Sequence, residues 1–196
     1  MWTSLAAAAL LLVTAMPGGA QSPTAANGRE GGARTLTLSP DGLSLAQVDA
    51  KTIHVWDVLH GREKAKLKTG DAPVDGVMFS PDSRVLLAIS SITVRLWDVE
   101  SGAERPDLGS GRRASAAAFS PDGTLLALTH GGSTSVWDLA ARRQLVLRDP
   151  QGIEATSVIF TLDAQTLIVG GGDKSARLWD LKTQRLRKVL GGGQGY

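Results

Sequence analysis

His54, His60 and His130 are the three histidines of the chain and the first residues to weigh for acid–base or metal chemistry. A metal site needs several soft or imidazole ligands at short, fixed spacing, and no His, Glu or Cys stands at such spacing around them. His54 falls in a strand-like stretch, in a slot that aligns with Arg95, Ser135 and Arg177, and the expectation is a solvated, outward position. His60 falls in a turn. Nucleophile motifs of the Gly-x-Ser-x-Gly or metalloprotease kind are absent from the sequence. Gly170-Gly171-Gly172 and Gly191-Gly192-Gly193 could cradle a phosphate only where such a loop opens a helix, and no helical period follows either one. They are expected to serve tight turns and a loose C-terminus. These residues predict no catalytic group, no metal and no cofactor.

Basic residues cluster at Lys64, Lys66 and Lys68 and again at Arg185, Arg187 and Lys188, alternating with Ala65, Leu67 and Leu186. Charges on one face of an edge strand discourage strand addition by other chains, which is their expected use. The formal net charge is +2 and no basic stripe interleaved with aromatics occurs, so nucleic acid is not an expected partner.

These residues are positioned by a repeat. Four of the five tryptophans precede an aspartate, at Trp56-Asp57, Trp97-Asp98, Trp137-Asp138 and Trp179-Asp180, on a beat of about 40 residues. A second marker keeps the same beat: Ser39-Pro40-Asp41-Gly42, Ser80-Pro81-Asp82-Ser83, Ser120-Pro121-Asp122-Gly123, and a degenerate Thr161-Leu162-Asp163-Ala164. Proline presets φ, aspartate bonds local backbone and glycine accepts positive φ, so each marker predicts a tight turn between strands. The fourth lacks both Pro and Gly and should be looser. Strand-length apolar or alternating runs flank the turns, as in 77–79, 85–89 and 93–97, and a further strand follows each Trp-Asp pair, as in 63–67 and 186–190. Four strands per repeat make one blade of a β-propeller. The recurrent tryptophans, at one position of every repeat, are expected to be packing residues rather than ligand cages.

On these two markers, residues 34 to 190 resemble the WD40 repeat family. The resemblance implies an all-β fold of four blades, each of four antiparallel strands with the inner strand first (34–69, 70–108, 109–148 and 149–190), and a role as a platform for protein partners. It implies no activity. The family's Gly-His pair is replaced by Gly70-Asp71, Gly109-Ser110-Gly111 and Asp149-Pro150-Gln151-Gly152, and only Asp173 keeps the matching aspartate between second and third strands. Without that histidine network, stability is expected to rest on apolar packing between sheets. Four blades suit a split or truncated propeller, two chains forming an eight-bladed ring, or a tight four-bladed ring. An incomplete propeller completed by a partner, with a homodimer as the leading candidate, is the expectation, because an open stack leaves two apolar faces uncovered.

Residues 1–20 carry no charged side chain, and the apolar run from Leu5 to Val13 is followed by Pro17, Gly18, Gly19 and Ala20. This pattern predicts a cleaved signal peptide, a secreted or periplasmic protein and no stable membrane insertion after cleavage. Residues 21–33 read as a flexible linker and 191–196 as a flexible tail. With no cysteine in the chain, no disulfide framework is available to the exported form.

Binding groups sit most often on connections held by a rigid scaffold. The resemblance points to the loops before each inner strand and between second and third strands, which hold Lys51, Asp71, Arg112, Arg113, His130, Glu154, Asp173 and Lys174. Their mixed, unrepeated charges suit a protein or peptide more than a symmetric small ligand. Two functions are expected from this: a non-catalytic protein-binding scaffold, or an exported accessory or sensor of a larger enzyme system whose active site lies on another chain.

Overall fold

The computed structural model describes residues 35–49, 51–70, 72–106, 108 and 114–191. The signal peptide, the linker, most of the tail and three of the expected binding residues, Asp71, Arg112 and Arg113, lie outside them.

All regular structure among the described residues is antiparallel β. The first sheet comprises β1 (Thr35–Leu38), β2 (Ser44–Asp49), β3 (Thr52–Asp57) and β4 (Arg62–Lys68). The second comprises β5 (Val74–Phe79), β6 (Val85–Ser90) and β7 (Val94–Asp98). The third comprises β8 (Ala116–Phe119), β9 (Leu125–His130), β10 (Ser133–Asp138) and β11 (Arg143–Arg148). The fourth comprises β12 (Ala155–Phe160), β13 (Thr166–Gly171), β14 (Ser175–Asp180) and β15 (Arg185–Gly191). Strands follow one another in chain order within each sheet.

Among the described residues the second sheet keeps three of the expected four strands. Its outer edge shows there one bridge between Trp97 and Glu104, flanked by bonds from Asp98 N to Ala103 O (2.9 Å) and from Arg105 N to Leu96 O (2.8 Å). Arg105 is the last residue of this edge bonded to β7 among the described residues, and residues 107 and 109–113 lie outside them.

The turns explain why the two markers recur. In the first marker the Ser39 hydroxyl donates to Asp41 (2.6 Å) and accepts from Ser44 N (2.8 Å), while Asp41 accepts from Leu43 N (2.9 Å). Ser80 with Asp82 and Ser120 with Asp122 repeat the set. The degenerate fourth turn is no looser: Thr161 donates to Asp163 at 2.6 Å, Gln165 N bonds Asp163 at 3.0 Å, and Ala164 N bonds Thr161 O at 2.9 Å. Threonine supplies the same hydroxyl as serine, and Ala164 takes the left-handed backbone (φ 53°) that Gly42 takes in the first turn (φ 74°). The aspartate of each Trp-Asp pair caps the following turn, accepting from the backbone N–H of His60, Ser101, Ala141 or Thr183.

Alternate side chains give each sheet two apolar faces, and consecutive sheets bury them against each other. Ala46, Val48, Ile53 and Val55 of the first sheet pack on Phe79, Leu86 and Trp97 of the second. Leu87, Val94 and Leu96 of the second pack on Leu126, Leu128 and Trp137 of the third. Ala127, Val136 and Leu147 of the third pack on Leu167, Val169 and Trp179 of the fourth. The tryptophan of each later sheet thus faces the preceding sheet, and all three are buried. Trp56 occupies the same place on the first sheet with no sheet before it among the described residues, and it is half-buried, its indole N–H donating to Gln47 (3.1 Å). No core cluster among the described residues joins the fourth sheet to the first.

Candidate partner-binding end

Because each chain segment runs antiparallel to the last, the connections divide between two ends of the stack. The Ser/Thr–Asp turns and the turns after each Trp-Asp pair lie at one end. The links between second and third strands, and those leading into β5, β8 and β12, lie at the other.

At this second end neighbouring loops are joined backbone to backbone. Thr69 N bonds Lys51 O (3.1 Å), Asp149 N bonds Gly132 O (3.0 Å), Ala155 N bonds Gly131 O (2.7 Å) and Gly172 N bonds Glu154 O (2.9 Å). His130, Glu154, Asp173 and Lys174 are thereby brought onto consecutive loops of the third and fourth sheets, while Lys51 stands apart on the first sheet. The side chains of Lys51, Glu154 and Lys174 are exposed, and His130 is half-buried at the end of β9. Lys174 is held at φ 65° at the tip of its turn, its N–H bonded to Gly171 O (3.2 Å).

Arg177 anchors these loops. The slot it shares with His54, Arg95 and Ser135 faces the preceding sheet rather than solvent, correcting the outward position expected for it: Arg177 is 3% exposed and Ser135 5%. The reason is the face on which the slot lies, since Arg177 alternates in β14 with Ser175 and Trp179 toward the third sheet. Its guanidinium pairs with Asp149, on the loop leaving the third sheet, and with Asp173 (2.9 Å), and it donates to Ser175 and to Gln151 (3.3 Å). The Arg177 hydrogen bond and the Ser175 hydroxyl hold the Asp173 carboxyl well below the usual carboxylate range, and the Asp173 hydrogen bond raises Arg177. The carboxylate of Asp173 is thus spent on the shape of the loop that presents Lys174.

Apolar clusters fill all three seams, the first adding a Lys64–Glu100 pair (2.9 Å) and a bond from Asp41 N to Ser83 Oγ (3.1 Å), whereas at this one an arginine and two aspartates tie the sheets together. Gly170 and Gly171 are strand residues rather than turn formers. A Cβ on Gly171 would meet Asp173 Oδ1 at 2.6 Å, Arg177 Nη1 at 2.8 Å and Ile153 at 3.0 Å, so glycine leaves room for the guanidinium. Sequence reasoning missed Arg177. The available signal was Asp173 four residues before it, a diglycine in the paired strand, and Asp149 in place of the family's usual residues.

The cavity beside this cluster, lined by Leu147, Asp149, Ile153, Arg177 and Trp179, measures about 10 Å³, the room of a single water. Among the described residues no group of three or more His, Cys, Asp or Glu is placed to hold a metal ion, and no helix is long and apolar enough to cross a membrane. In the first sheet His54 Nδ1 contacts Glu63 Oε1 (2.6 Å) and its ring stacks on Trp56 with centroids 6.3 Å apart.

Residues 144–180 match the family described as WD domain, G-beta repeat. The matched stretch runs from β11 through β14, so it spans the outer strand of the third sheet and three strands of the fourth, the two sheets that Arg177 joins. The other sheets carry the same Trp-Asp and Ser-Pro-Asp markers in the same places. No curated protein matches the chain.

Proposed function

We propose that these WD40-like sheets form a non-catalytic scaffold that docks a protein or peptide on the loop end of the stack. The family resemblance supports a protein-interaction role in general. The observation that carries the finer reading is the backbone stitching of the loops, which fixes Glu154 and Lys174 on neighbouring tips while leaving both side chains in solvent. A rigid platform loses little ordering entropy on binding, and unlike charges on adjacent tips select a partner by complementary charge. Lys51 and His130 extend this surface to the first and third sheets, and Asp173 supports it from beneath; Asp71, Arg112 and Arg113, expected at the same surface from the sequence, lie outside the described residues. The scaffold works outside the cytoplasm, after removal of residues 1–20, a reading supported by the uncharged apolar leader and its small residues.

Glu154→Lys combined with Lys174→Glu reverses two exposed charges without touching the inter-sheet core. Proteins that co-purify with the wild-type chain from the exported fraction should be lost from this variant, with its far-ultraviolet spectrum unchanged. Retention of the same proteins by a folded variant overturns the loop assignment.

A further inference from the structure

The two outermost sheet faces are complementary by the same rule that pairs the inner ones. On the first sheet Leu45 lies opposite Trp56 and Leu38 opposite Leu45. The equivalent pairs are Leu86 with Trp97 and Phe79 with Leu86 in the second sheet, Leu126 with Trp137 in the third, and Leu167 with Trp179 in the fourth. Each of those leucines is fully buried by the preceding sheet. Among the described residues nothing covers the same apolar set on the first sheet, with Leu36 58% exposed and Leu38 44%.

The far face of the fourth sheet is the matching half. Ile168 lies opposite Leu178, as Ala46 lies opposite Val55, Leu87 opposite Leu96 and Ala127 opposite Val136, and all of those are buried by the following sheet. Ile159, beside Ile168, is 48% exposed. Charge adds direction. Lys188 lies opposite Leu178, where Ala65 lies opposite Val55. Ala65 packs against Gly102 of the next sheet (3.0 Å to a Cβ built there), two residues from Glu104, which faces Trp97. The counterparts on the first sheet are Gly61 and Glu63, the latter facing Trp56. A fourth sheet seated on a first sheet therefore places Lys188 beside Glu63.

We infer that the fourth sheet of one copy packs on the first sheet of a second copy, and reciprocally, closing a two-fold ring of eight sheets. Eight lies within the range at which blades close around an axis, and a two-fold operator makes both seams identical and leaves neither apolar face in water. The interface is separate from the loop end and does not depend on what binds there.

Light scattering after size exclusion of the purified protein should give a single species at twice the mass of one chain. Leu36→Asp and Ile159→Asp alter side chains already in solvent, so each variant should remain folded by Trp fluorescence and run as a monomer. Mixed together they should recover a dimer, because one seam then pairs two intact faces. Lys188→Glu should weaken the dimer about tenfold, and adding Glu63→Lys should restore it. A monodisperse wild-type monomer, an open ladder of higher masses, or a dimer unaffected by either aspartate overturns the inference.

Discussion

The two ends of the stack are built on opposite plans. At the turn end one set of bonds is made four times, by Ser39, Ser80, Ser120 and Thr161 with the aspartate two residues on. At the loop end no two links are alike, and the strongest interactions, those of Arg177 with Asp149 and Asp173, occur at one seam alone among the described residues. Repetition is what a scaffold needs in order to stack, because every sheet must offer its neighbour the same surface. Departure from the repeat, on a backbone held rigid by that scaffold, is where selectivity can reside.

The comparison breaks most severely at Arg177. Arg177→Met keeps the apolar stem but leaves Asp149 buried without its cation, and stability in urea should fall by about 3–5 kcal/mol. A loss below about 1 kcal/mol would mean that the cluster contributes little to the seam between the third and fourth sheets.

Acid attacks both ends. Asp57 is lowered to about 2, chiefly by the His60 hydrogen bonds. Ser101 lowers Asp98, the Ser120 hydroxyl lowers Asp122, Thr161 lowers Asp163, Thr183 lowers Asp180 and Arg177 lowers Asp173. A depressed folded value means that this stability is present above the unfolded carboxylate value of about 3.9 and is lost as pH falls through the folded values. Urea midpoints should hold steady from neutral pH to about 5 and drop steadily from there toward about 2. A flat profile across that window would contradict the bonding assigned to these aspartates.

Smaller effects sharpen the turn end. Ser120→Ala removes a buried hydroxyl that serves Leu125 N and Asp122, and should cost about 1–2 kcal/mol. Ala164→Gly relieves a left-handed alanine and should stabilise by about 1 kcal/mol. Equal thermal shifts for Ala164→Gly and for a glycine placed at an ordinary strand position would show that the fourth turn carries no such strain.

Much of this architecture was legible in the sequence because it is written four times. Trp-Asp and Ser-Pro-Asp on a common beat fixed the number of sheets and the turns between their first two strands. That the second sheet's outer edge shows one bridge among the described residues was not legible, since both repeat markers lie before the outer strand begins. The burial of Arg177 was hidden by alignment with His54, a residue in the same slot on a sheet with no predecessor among the described residues. That missing predecessor also leaves Trp56 half-buried, while its three counterparts are in the core. For the candidate site, the sequence located the loops and their charges. It could not tell that Asp173 faces inward to Arg177 while Lys174, one residue on, faces solvent, because that difference arises from the turn's left-handed residue.

In the proposed reading, partners dock at the loop end. A photo-crosslinking residue at Lys174 and, in a separate variant, at Leu162, which is 77% exposed on the turn end, compares the two ends directly. Partner adducts from position 174 and none from position 162 are predicted. Adducts formed from position 162 alone would contradict the account and move the recognition surface to the repeated turns.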